Sequence, residues 1–153
     1  MEEGLQLKTE LLAYARKEVE ASLAVTRQSL SRLSESLTNE TKSSAGDKFE
    51  TGRAMLHMEQ QKMQQQLAVA GERLATVERI TRKAPTTIVT EGSLVATNRG
   101  LYLVGLGLGK VRLEGRVVFC TSLDSPIGSQ LIGKQAGEMF VFNELEFLVK
   151  GMV

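Results

Sequence analysis

Two carboxylates stand three residues apart in the stretch from Asn39 to Arg53, NETKSSAGDKFETGR: Asp47 and Glu50. Residues three apart on a helix share a face, so the pair would present two acids side by side. The same spacing has a purely structural use. Ser44 with Asp47, and Asp47 with Glu50, are spaced as a capping box, and a carboxylate in a first helical turn is favoured by the helix dipole. Lys42, Lys48 and Arg53 add positive charge around the acids. Few other residues offer chemistry. His57 is the only histidine and has no second ligand on its helix, which points to a surface or edge position. Cys120 is the only cysteine, so neither a disulfide framework nor a cysteine metal site is available. The alternating glycines Gly105, Gly107 and Gly109 lack nucleotide-binding spacing and precede no helix. They predict a bent or bulged strand or a loop.

Hydrophobic residues repeat every seven positions on both sides of the acidic stretch. Upstream the series is Leu5, Leu12, Val19, Thr26 and Leu33, with Leu23, Leu30 and Leu37 as its companion. Downstream it is Phe49, Leu56, Met63, Ala70 and Val77, with Leu67 and Leu74. This is the spacing of a seam facing a partner helix. Two such helices joined by a short polar segment predict an antiparallel hairpin. Folding about residue 43 sets Leu30 near Leu56, Leu23 near Met63, Val19 near Leu67 and Leu12 near Leu74. The first helix is expected from Leu5 to about Thr38 and the second to about Arg82, with Ala84-Pro85 ending it. About 32 residues at about 1.5 Å each make a rod of about 50 Å, with Asp47 and Glu50 at its tip.

From Thr86 the chain becomes β-branched and turn-rich. Strands are predicted at 86–97 (broken at Glu91-Gly92), 101–106, 110–114, 116–121, 139–142 and 145–149. A short helix is predicted over 125–133, with Pro126 in its first turn. The expected fold class is α+β: residues 1–84 as an antiparallel hairpin and 85–153 as a small antiparallel β domain with one short helix. Its predicted core is Val89, Leu94, Leu103, Val118, Ile127, Leu131, Ile132, Val141, Phe147 and Val149.

The chain has 153 residues and a net charge of +1, which argues against bulk nucleic-acid binding, and no independent DNA binding is expected. Trp is absent and Tyr occurs only twice, which argues against a base-stacking platform. The stretch MEEGLQLKTE is acidic and lacks an apolar core, so no signal peptide is expected, and no apolar run is long enough to span a membrane. A cytoplasmic protein without membrane contact is the expectation.

Residues 120–141, CTSLDSPIGSQLIGKQAGEMFV, resemble the C-terminal signature of the Gre family of bacterial transcript cleavage factors. The matching positions are Ser125-Pro126, Ile127, Gly128, Leu131-Ile132, Gly133, Lys134 and Gly137-Glu138, with Glu in place of the usual Asp. Gly92-Ser93-Leu94-Val95 is similar to the family's opening strand of that domain. Gly46-Asp47 and Glu50 are similar to the family's hairpin tip, and Glu59 and Gln61 match positions farther along. The chain departs at Thr51-Gly52-Arg53-Ala54, where the family commonly carries Asn-Ala-Glu-Tyr.

The resemblance implies a long coiled-coil hairpin followed by an FKBP-like domain. It implies a transcription elongation factor that binds RNA polymerase near its secondary channel, anchored through Ser125, Ser129, Gln130 and Lys134. The tip acids Asp47 and Glu50 would act in trans on Mg²⁺ shared with the polymerase, so that the polymerase hydrolyses the 3′ end of backtracked RNA. Lys42, Lys48 and Arg53 would contact RNA phosphates or polymerase acids. The protein would be a monomer with no cofactor of its own, an activator rather than an enzyme. Two exposed carboxylates alone bind Mg²⁺ weakly, because that ion keeps its waters unless phosphates assist. The main alternative is a channel-binding regulator without cleavage activity, since Arg53 would pair with Glu50. A prolyl isomerase and a dimerising coiled-coil adaptor are further alternatives.

Overall fold

The structure, a computed structural model, describes the backbone of residues 2–42 and 46–153 and the side chains of residues 2–39 and 52–153. Two long helices come first, α1 (Glu2–Lys42) and α2 (Gly46–Arg82). Helix α1 extends beyond the expected Leu5–Thr38 at both ends. Glu2 and Glu3 in its first turn suit the positive end of the dipole. Near its end, Ser36 and Thr38 donate their hydroxyls back to the carbonyls of Arg32 and Ser34, so these residues do not break the helix.

The chain forms two compact units, residues 17–74 and residues 1–16 together with 75–153. In the first of these, Val19, Leu23 and Ala70 are buried together, with Leu67 and Leu74 against them. The Val19–Leu67 level of the heptad pairing is therefore present. Leu12 instead joins Val77 and Ile80 in the core of the other unit.

That other unit is built on a six-stranded sheet in the order β3-β4-β2-β1-β6-β5. The strands are β1 (Leu94–Thr97), β2 (Gly100–Val104), β3 (Gly109–Leu113), β4 (Arg116–Thr121), β5 (Met139–Phe142) and β6 (Leu145–Met152). The helix α3 (Pro126–Leu131) lies between β4 and β5 in sequence. The sheet is mixed, and the expectation of an antiparallel domain is corrected: β4 runs parallel to β2, with Leu101 opposite Val118 and Leu103 opposite Cys120. The cause is strand order. Glu114 and Gly115 both take positive φ and turn β3 tightly into β4, and β4 then inserts between β3 and β2.

Strand alternation gives this sheet two buried faces. On one, Leu94, Leu103, Val118 and Cys120 pack with Leu7, Leu11, Leu12 and Ala15 of α1 and Val77 and Ile80 of α2. On the other, Val95, Val104, Phe147 and Val149 pack with Val89, Leu131 and Phe140. Burial pushes the Cys120 thiol up to about 11, so it is an unreactive core group. Lys8 is buried as well; its Nζ donates to the carbonyl of Val153 at 3.2 Å, and burial followed by the charge of Lys83 pulls its pKa down.

Two predicted core residues are exposed. Ile132, the C-cap residue of α3, is 38% exposed, and Val141, on the edge strand β5, is 63% exposed. The 86–97 segment is a strand only over Leu94–Thr97, with an isolated bridge from Ile88 to Gln135. Gly92 lies in that irregular stretch at φ 95°, where an added Cβ would lie 2.7 Å from the Ile80 side chain. The position therefore requires glycine.

Arg79 of α2 grips Glu91 with both arms of its guanidinium, Nε at 2.7 Å from Oε1 and Nη2 at 3.0 Å from Oε2. Lys83 Nζ donates to the Glu91 carbonyl at 3.0 Å. The Arg79 hydrogen bond holds the Glu91 carboxyl below the usual carboxylate range. A depressed folded-state pKa contributes stability above the unfolded value, and that contribution disappears as pH falls through the folded one. Thermal melts are expected to show the wild type losing stability below the ordinary carboxylate range more steeply than Glu91→Gln. Parallel pH curves for the two proteins would contradict this assignment.

Candidate functional site

Asp47 and Glu50 fall at the start of α2, which begins at Gly46. Their side chains, with those of Lys42 and Lys48, lie outside the described residues. Arg53 is described. Its Nε donates to Nε2 of His57 one turn farther on, at 3.4 Å. This also places His57, which is exposed, as a hydrogen-bond acceptor. Among the described residues no group of His, Cys, Asp and Glu side chains is placed to hold a metal ion.

The α3 segment is described completely, and its geometry explains most of the sequence signature. Ser125 is the N-cap, at φ −66° and ψ 154°. Its Oγ accepts from Gly128 N at 3.0 Å and donates to the Ser122 carbonyl at 2.8 Å. Pro126 follows, where no N–H is needed. Ser129 Oγ donates to the Ser125 carbonyl at 2.7 Å. Gly133 takes φ 82° and leaves the helix. Its N–H donates to Val89 O, and Val89 N–H donates to Lys134 O, both at 2.9 Å. Gly137 takes φ 93° and donates to Val149 O, while the Glu138 carboxylate accepts from Gln135 N at 3.3 Å.

The serines, glycines and the acid of the signature are therefore occupied in building the turn-helix-turn. Of the expected anchoring residues, Ser125 and Ser129 have their hydroxyls committed internally, and the Lys134 ammonium lies 5.9 Å from the centre of the Phe140 ring. Gln130 is exposed, and its side chain has no hydrogen bond among the described residues. Sequence reading missed the apolar surface beside them. Ile88, Leu123 and Ile132 are 40%, 38% and 38% exposed, and together with Thr90 and Ser129 they line a groove of about 520 Å³. Each looks like a core residue in sequence, so only the fold reveals them as surface.

Lys134→Glu is expected to lose the contact with the Phe140 ring. Contacts of this kind are worth about 0.5–1 kcal/mol at exposed sites, so Tm should fall by only a few degrees. A melt that collapses would show that Lys134 is a structural residue rather than a surface one.

No family model matches the chain, and no curated protein or solved structure matches it.

Proposed function

We propose that the chain is a transcription elongation factor of Gre type, with its helix pair acting as a coiled-coil hairpin and its sheet unit as an FKBP-like domain. It would bind RNA polymerase near the secondary channel and stimulate hydrolysis of backtracked RNA by the polymerase. The observation that carries this reading is the position of Asp47 and Glu50 in the opening turns of α2, a helix of 37 residues that follows one of 41 in sequence. The pair fits a shared Mg²⁺ but not a private one. Two carboxylates are too few to hold this ion alone and sufficient when a partner and phosphates complete the shell. Bound there, the ion would stabilise charge on the phosphoryl group and supply hydroxide; this chain's part is to position the two carboxylates and to dock. Docking is assigned to the α3 surface, where Gln130, Lys134 and the groove beside Ile132 offer mixed polar and apolar contact.

The test is a cleavage assay on stalled, backtracked complexes of the cognate polymerase at fixed Mg²⁺ and saturating factor. Faster release of 3′ RNA fragments supports the reading. Binding without acceleration would favour a non-cleaving regulator, a reading that Arg53 supports because this cation stands where the family commonly has an acid.

A further inference from the structure

The sheet face that carries α3 leaves β3 and the adjoining part of β4 with partly exposed residues, and these residues form a pattern. Lys110 stands opposite Phe119, Phe119 opposite Tyr102, and Tyr102 opposite Val95. Side chains opposite one another share a face. Tyr102 and Phe119 are half-buried and stack on each other, with ring centres 5.3 Å apart and planes at 30°. Tyr102 continues edge-on to Phe147, over whose ring the Arg99 guanidinium lies at 5.7 Å. Arg112, two residues along β3 from Lys110, projects to the same side opposite Val117. Lys110 and Arg112 are exposed, and neither side chain has a hydrogen bond or ion pair among the described residues. The paired positions along these strands carry no carboxylate.

We infer that this face binds single-stranded nucleic acid, with bases stacking on Tyr102 and Phe119 and phosphates meeting Lys110, Arg112 and Arg99. Lys110 and Arg112 are the free cations of the set, while Arg99 is exposed but already donates its Nε to the Glu146 carbonyl at 2.7 Å. Aromatic rings presented on a sheet and flanked by exposed cations are complementary to an unstacked base with its phosphate on either side. The composition pointed the other way, because two tyrosines and no tryptophan look too few. The sheet register overcomes this by placing one of the two tyrosines against a phenylalanine from a parallel strand. The inference does not depend on the proposed function, and its test contains no polymerase.

The experiment is fluorescence anisotropy of a labelled oligouridine of about 10 nucleotides, titrated with the full chain at several salt concentrations. Wild type is expected to bind, with affinity falling as salt rises. Lys110→Gln with Arg112→Gln should weaken binding by at least about tenfold and reduce the magnitude of the log–log salt slope by about 1.4, the value for two lost phosphate contacts on a single strand. Phe119→Leu should weaken binding by about tenfold with the salt slope unchanged, because it removes stacking and no charge. Melting curves check the fold; if Phe119→Leu does not fold, the salt slope of the Lys110/Arg112 pair still decides. Absence of wild-type binding at low salt, a charge variant that keeps the wild-type slope, or equal affinity for a duplex would each overturn the inference.

Discussion

On the proposed function, Asp47→Asn is expected to lower factor-stimulated RNA cleavage by about a hundredfold, at least what losing an outer-shell partner of a metal ligand costs, while melting and polymerase binding stay near normal. The substitution separates two uses of one residue. Asn caps a helix as well as Asp does, so if Asp47 serves only the start of α2, the variant keeps both stability and activity. If its charge is needed at the polymerase active site, only activity is lost. Glu50→Gln gives an independent reading, since it lies beyond the cap position and its loss of charge costs a helix little. Cleavage rates on backtracked complexes at fixed Mg²⁺ are the measurement. Variants that match an active wild type would remove the acids from the mechanism and leave them as helix-terminal charges.

Gly128→Ala is expected to destabilise the sheet unit by about 3 kcal/mol, which is about 10 °C in Tm for a chain of this size. An added Cβ would lie 2.1 Å from the Ser122 carbonyl oxygen and 2.8 Å from Ser125 Oγ. That carbonyl already accepts from the Ser125 hydroxyl, and the hydroxyl accepts from Gly128 N. Yielding to the methyl therefore means moving backbone and losing the helix cap together. Gly71→Ala in α2 is the contrast. Nothing lies within 4 Å of its added Cβ, and replacing a mid-helix glycine should raise stability by about 1 kcal/mol. Equal and opposite shifts for the two variants are not required. A Gly128→Ala protein that melts with wild type would mean that the turn before α3 is not as described.

The parts of the fold that were legible in sequence are those set by local periodicity. The seam through Val19, Leu23, Leu67 and Ala70 can be read from seven-residue spacing alone, and the serine, proline and glycines around α3 announce its cap and exit. Placement of β4 was not legible. The spans of β3 and β4 were readable to within a residue, but nothing local says that β4 lies beside β2 rather than at the sheet's edge. Exposure was not legible either. Ile132 and Val141 are as apolar as any core residue, and they face solvent because one stands at a helix exit and the other on the outward side of an edge strand. The pairing of Arg79 with Glu91 crosses the Pro85 break, so no helical spacing points to it. At the candidate site, the spacing of Asp47 and Glu50 was readable. The groove beside α3 and the aromatic–cation array on the sheet were not, because strands and turns far apart in sequence assemble them.

One compact unit is discontinuous in sequence, with residues 1–16 and 75–153 belonging together and 17–74 between them. A featureless connection of that length would have to be closed against chain entropy before Leu7 and Leu11 could meet the sheet. The intervening residues remove this obstacle by pairing with each other. Helices form within about a microsecond, far ahead of strand pairings between distant segments. On this argument the helix pair would act as a folding clamp that brings residues 16 and 75 together early, and α1 would reach the sheet as part of a preformed partner. The contact of Lys8 with Val153, 145 residues apart, would be among the last to form. Substituting Ala for Val19 and Leu23 should then slow refolding of the sheet, followed by stopped-flow circular dichroism, although neither residue belongs to the sheet's core. An unchanged refolding rate would show that the sheet recruits its helices without help from their pairing.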